Sequence, residues 1–251
     1  MIKLLIISDD FTGALDTGVK FSAAGARTRV STDTRMDFRQ EIAEEVLVLC
    51  APTRHLPPRE AYDMIRPIAQ RAVAAHIGCV YKKTDSALRG NIGAELSAVL
   101  DGSGEKCLSF IPALPGMNRI TVDGVHYIDG VPVDQSVFGQ DPFEPVTESR
   151  VPDLLHLQCD VPVKVISPEE LDSFRPREEK CIYLFDCASR EDMEREAQRL
   201  YLLGCLKLLA GCAGLAESLP GYLGLRMGEK PQCRIEANRL VVLCGSVNPI
   251  S

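Results

Sequence analysis

The chain has 251 residues, 45% hydrophobic and 25% charged, with a formal net charge of −7 at pH 7. That length suffices for one large or two small domains with sizeable cores, and the composition is that of a soluble globular protein. The acidic balance, with no basic run, argues against nucleic acid as a partner, and no apolar stretch approaches the ~20 residues of a membrane span.

The first element is an apolar run at residues 2–7, read as a strand, followed by Ser8, Asp9, Asp10, Phe11, Thr12 and Gly13. A helix is expected over about 14–24, with Gly25 as its stop. Adjacent carboxylates at a strand end repel unless a ligand, a cation or a nearby Lys or Arg offsets them. The plainer alternative is that one of the two caps the helix. Strands are then expected at 28–31 and 46–50, the second leading to Arg54, and a helix at 58–75. With no signal-peptide pattern before the first strand, the expected location is the cytoplasm.

The stretch Tyr81–Glu95, YKKTDSALRGNIGAE, is the most informative in the chain. It begins as the end of a strand (79–81) and runs into a helix over 92–100. Between them stand Lys82, Lys83, Asp85, Ser86, Arg89 and Asn91, with Gly90 and Gly93 read as freeing the backbone. A strand end that presents cations, a carboxylate, a hydroxyl and an amide is where α/β proteins bind polar ligands. The competing interpretation is a solvated loop with an Asn helix cap.

A strand at 107–111 follows, and then from Pro112 to about Pro152 the chain is rich in Pro, Gly and Asp. Within that stretch 125–128 and 131–133 flank Asp129-Gly130, a hairpin signal. An insertion of this length is read as a lid or substrate wall, with a surface excursion or oligomer contact as the alternative. Further on come a strand at 181–185, a helix at 190–203, a strand at 206–209 and a helix at 215–225. A linker is expected at 229–238, and a fresh strand at 240–244 ends in Gly245-Ser246. This alternation predicts an α/β domain over 1–228, a doubly wound, mostly parallel sheet carrying a β-hairpin insertion.

Most of the ten cysteines lie in or beside apolar runs, no CxxC pair exists, and the four histidines have no ligand spacing. The expectation is reduced, buried thiols and no metal site. A Rossmann dehydrogenase is disfavoured because no G-x-G-x-x-G follows the first strand.

Eight blocks together resemble the four-carbon acid sugar kinase family, whose members phosphorylate erythronate, threonate or 3-oxo-tetronate with ATP. They are SDDFTGALDTG (8–18), PTRHLP (52–57), KKTDSALRGNIGAEL (82–96), PALPGMNR (112–119), GVHYIDGVPVDQS (124–136), DPFEPVTES (141–149), GCAGLA (211–216) and LCGSVNP (243–249), in family order. Ala87 stands where the family usually has Thr, Cys212 where it has Ser, and Phe11 where it has Leu.

The resemblance implies two lobes, this sequence matching the sugar-acid lobe plus the opening strand (239–251) of a nucleotide lobe. No Gly-rich ATP loop occurs in it, so the chain is expected to bind substrate without transferring phosphate by itself. A noncatalytic sugar-acid-binding module is the alternative. A small sugar acid is the expected partner, with a homodimer possible through the hairpin.

The resemblance, together with the chemistry of a sugar acid, assigns roles. Arg89, with Lys82 or Lys83 and the helix start near Asn91, would take the substrate carboxylate. Asp85, Ser86, Asn91 and either Asp9 or Asp10 would meet its hydroxyls. The base is expected to be Asp10, with Asp9 and Asp85 as rivals. Thr12 and Gly13 would offer backbone donors, Arg54 and Arg119 would neutralise charge, and Ser246 would contact the nucleotide. ATP and Mg²⁺ are the expected cofactors, bound mostly by the nucleotide lobe.

Overall fold

The structure is a computed structural model that describes residues 1–40, 42–229 and 241. In chain order its first strands are β1 (Leu4–Ser8), β2 (Thr28–Ser31), β3 (Val46–Cys50), β4 (Cys79–Lys83) and β5 (Cys107–Ile111). Next come β6 (Arg119–Val122), β7 (Val125–Ile128) and β8 (Val131–Pro132), then β9 (Val163–Ile166), β10 (Cys181–Phe185) and β11 (Leu208–Gly211). The helices are α1 (Phe11–Ala23), α2 (Pro58–Ala74), α3 (Ile92–Ser103), α4 (Val151–His156), α5 (Arg190–Leu202) and α6 (Ala213–Ser218). The expected linker at 229–238, the strand at 240–244 and Ser246 fall outside the described residues, save residues 229 and 241.

Eight strands form one sheet in the order β2-β3-β1-β4-β11-β5-β10-β9, every neighbouring pair parallel. β1 and β3 are buried at all five positions because helices cover both faces. Successive side chains point to opposite sides of a strand. Leu5, Ile7, Leu47 and Leu49 therefore pack with α2, α3 and α4, while Leu4, Ile6, Val46 and Val48 pack with α1, α5 and α6.

The hairpin insertion is a three-stranded antiparallel sheet, β6-β7-β8. Asp129 and Gly130 both have positive φ (51° and 80°), the signature of the tight hairpin turn that dipeptide favours. Asp123-Gly124 repeats the device between β6 and β7, with φ of 51° and 73°, and it escaped the sequence reading. A small third core of Ala87, Ile128, Val133 and Val146 joins this sheet to the loop after β4.

Several elements differ from expectation. α1 starts at Phe11 rather than near 14, because Asp10 caps it. Gly25 follows its end with φ +98°, as a helix stop should. The helix expected at 215–225 ends at Ser218, two residues before Pro220, which cannot continue it. Gly93 lies inside α3 and serves close packing: a Cβ there would sit 2.3 Å from the Leu155 carbonyl oxygen of the loop-side helix α4. β9 went unread because it is an edge strand, VKVI, with exposed Lys164 interrupting the apolar run.

The eight cysteines among the described residues form no disulfide. Among those residues no helix is long and apolar enough to cross a membrane.

Candidate functional site

β1 lies between β3 and β4, with Ser8 level with both Cys50 and Lys83. The loops after these three strands therefore leave the sheet side by side at its carboxyl edge. The connection leaving β1 runs to β2 on one side and that leaving its neighbour β4 runs to β5 on the other, and such a switch opens a crevice between them. Asp9, Asp10, Arg54, Asp85 and Arg89 stand on those loops.

Arg54 ties them together. Its Nε donates to Asp9 Oδ2 at 2.7 Å, its Nη1 and Nη2 reach the two Asp10 oxygens at 3.1 Å each, and Nη2 is 3.8 Å from Asp85 Oδ1. Asp10 Oδ1 also accepts from the Gly13 N–H at 2.9 Å, so that donor serves the cap rather than an open site. Thr12 is exposed beside it. Asp85 receives Arg89 through Nε at 2.8 Å and Nη2 at 3.1 Å.

Burial alone would raise the Asp85 carboxyl. The Arg89 hydrogen bonds and the charges of Arg54, Arg89 and Lys83 outweigh it and hold the group well below the usual carboxylate range. So low a carboxyl is a poor proton acceptor.

The two lysines part company because neighbouring strand residues face opposite sides. Lys82 is completely buried on the α3 side, 2.9 Å from Glu95 Oε2, and donates to the Lys83 carbonyl at 2.8 Å. The Thr53 hydroxyl bonds the other Glu95 oxygen. Lys83 faces α1 instead, where a Cβ on Gly13 would meet its Nζ at 2.5 Å. A side chain at position 13 would therefore displace the Lys83 ammonium or the Asp10 carboxylate.

Asn91 does not cap α3. Its amide donates to the carbonyls of Thr53 (2.8 Å) and Leu56 (2.7 Å), pinning the loop that carries Arg54. Gly90 has φ +88°, and a Cβ there would sit 3.0 Å from Arg54 Cγ, so turn and arginine both depend on it.

The insertion forms the far wall. The Ser86 hydroxyl bonds Arg119 Nη1, and the Ser86 carbonyl accepts from His126 Nε2 at 3.0 Å. That assigns the proton to Nε2 and leaves Nδ1 facing the Thr121 hydroxyl at 3.1 Å. Burial pushes His126 down to about 4, so the ring is neutral. Arg89 and Arg119 both lie over the Phe138 ring, 5.1 and 5.2 Å from its centroid. Ala87, the departure from the family's usual Thr, is fully buried in the small apolar core under this wall.

The structure therefore brings Asp9, Asp10, Arg54, Lys83, Asp85, Ser86, Arg89 and Arg119 to one crevice. It keeps Lys82 and Asn91 beneath it as supports. Residues not foreseen are Thr53, Thr84, Glu95, His126, Phe138 and Asp141. Asp9 Oδ1 and Thr84 Oγ1 are buried without a protein partner. Among the described residues no three His, Cys, Asp or Glu side chains gather to hold a metal. The acidic groups face arginines instead. A separate cavity of about 640 Å³ is lined by residues of α2, α3 and the 156–162 turn and shares none of these side chains.

A profile of the family described as Sugar-binding N-terminal domain matches residues 4–219. The chain is 32% identical to the D-threonate kinase of Salmonella typhimurium over 231 residues, 87% of this chain and 53% of that one. It is 29% identical to the D-erythronate kinase of Heliobacterium modesticaldum over 239 residues, 89% of this chain and 54% of that one. A solved domain of unknown function from Bordetella bronchiseptica, a domain-swapped dimer with bound citrate, matches with a TM-score of 0.77 at 30% identity. That match covers 87% of this chain and 55% of the other. The chain thus spans about half the length of the curated relatives it matches. On the family profile and these relatives together, the protein belongs to the four-carbon acid sugar kinase family, whose sugar-binding N-terminal domain it carries.

Proposed function

We propose that this chain supplies the substrate-binding lobe of a kinase that phosphorylates the terminal hydroxyl of a four-carbon sugar acid: an erythronate, a threonate or a 3-oxo-tetronate. The observation that carries the reading is the convergence of three arginines and three aspartates on one crevice at the carboxyl edge of β1, β3 and β4. Guanidinium forks suit a carboxylate, and the partly exposed Asp10 carboxylate suits a hydroxyl. The relatives' names, D-threonate, D-erythronate and 3-oxo-tetronate kinase, point to the same chemistry.

Asp10 is the proposed base. Its side chain is 27% exposed, against 1% for Asp9 and 9% for Asp85, so it is the carboxylate a substrate hydroxyl can reach. ATP with Mg²⁺ is the proposed phosphoryl donor, a chemistry that rests on positioning and charge stabilisation. The nucleotide and its metal are proposed to be held mostly by the nucleotide lobe that the family resemblance implies. A homodimer is proposed by analogy with the Bordetella relative.

Isothermal titration with D-threonate, D-erythronate and 3-oxo-tetronate, with neutral threitol as comparator, tests the reading. At least one acid is expected to bind about tenfold or more tighter than threitol, a gap of roughly 1.4 kcal/mol. Equal affinity for threitol, or no binding of any acid, would reject it.

A further inference from the structure

The hairpin insertion returns to the crevice through residues 138–144. Asp141 Oδ2 lies 3.0 Å from Arg89 Nη1, while Asp141 Oδ1 accepts the backbone N–H groups of Phe143 and Glu144 at 3.0 Å each. Glu144 Oε1 lies 2.9 Å from His55 Nδ1. The turn is thus strapped to the loops after β3 and β4 by one carboxylate each.

Three of the five Arg89 N–H groups are engaged in this arrangement. Its Nε and Nη2 hold Asp85 and its Nη1 holds Asp141. Asp85 is not displaceable: it is buried, lies beside Arg54, and accepts the backbone N–H groups of Ala87 and Arg89 at 3.3 Å each. Asp141 touches Arg89 through one oxygen and is otherwise bonded only to backbone N–H groups of its own turn, which Glu144 ties to His55. With the Nε/Nη2 fork held by Asp85, an anion that grips Arg89 through two nitrogens must compete with Asp141 for Nη1.

We propose that Asp141 is a specificity-determining residue: its carboxylate occupies the edge of Arg89 that a sugar acid's carboxylate takes, so binding exchanges one carboxylate for another and releases the 141–144 turn. The inference rests on the sugar-acid reading of the crevice. A neutral polyol has no charge with which to displace Asp141, so the contact screens for acids. It also lowers the affinity for every acid it admits.

Asp141→Asn isolates the charge, because its amide oxygen can still accept the two turn N–H groups. The variant is expected to bind D-threonate or D-erythronate roughly tenfold more tightly than the parent, the scale of one charge-assisted contact, with threitol unchanged. A structural role for Asp141 predicts the opposite sign. Phenylglyoxal labelling, mapped by mass spectrometry, reads the same contact without any sugar acid: Arg89 should label faster in Asp141→Asn. Acid affinity equal to or weaker than the parent's, or labelling no faster, overturns the proposal. If neither protein binds a sugar acid, the substrate reading falls, and the labelling rate alone decides whether Asp141 covers Arg89.

Discussion

Arg54→Ala is expected to remove roughly 3–5 kcal/mol of folding stability, together with all sugar-acid binding. The arginine side chain is 11% exposed and is the shared partner of Asp9, Asp10 and Asp85. Burial works against its charge, but the carboxylates, Asp9 foremost, more than offset this and raise its pKa. Removing it leaves Asp9, with a side chain only 1% exposed, as an uncompensated buried charge. It also strips the cap residue Asp10 of its two guanidinium contacts. Arg54→Lys should recover only part of the loss, since an ammonium lacks the planar fork that reaches three acids at once. Urea unfolding measures this, and a change below about 1 kcal/mol, the ceiling for a surface pair, would show that the cluster holds nothing together.

The second large effect lies one layer down. Lys82 and Glu95 are both fully buried and form an ion pair on the α3 side of β4. Burial pushes the Glu95 carboxyl up, against the pull of the Lys82 charge. Glu95→Gln takes away the countercharge and leaves an ammonium in a dry site, an expected loss of about 3–5 kcal/mol. Lys82→Met combined with Glu95→Leu should be far milder than either single loss of charge, because apolar pairs of similar volume often replace a buried ion pair at little cost. The Thr53 hydroxyl retains the Ala51 carbonyl as a partner at 3.1 Å, so it is not orphaned by the double change. A thermal-unfolding cycle tests this: losses that simply add would mean the two charges do not depend on each other.

Much of the fold is legible in the chain because burial on both faces writes β1, β3 and β10 as unbroken apolar runs. The same logic hides β9, whose outer position lets Lys164 into the pattern. It also hides α4, six residues long and too short to display a period. Strand order is not written locally, and only the pairing of β1 with both β3 and β4 explains why loops some 45 and 75 residues apart in sequence meet.

In the site, paired aspartates followed by a helix start, and a loop dense in charges, were readable signals. Lys82 and Lys83 looked equivalent, although the two-residue strand period already puts them on opposite faces. Glu95 looked like an ordinary helix residue. Its importance comes from facing a lysine that the sheet buries. Asp141 depends on the insertion folding back onto Arg89, a contact that the small sheet and its two Asp-Gly turns create.

The most direct measurement is a crystal structure of the protein with D-threonate or D-erythronate bound. The acid is expected at the carboxyl edge of β1, β3 and β4, with its carboxylate on Arg89 in place of Asp141 and a hydroxyl against Asp10. Ligand density in the cavity beside Tyr62, Asp101 and Lys180, with the arginine crevice unchanged, would contradict it.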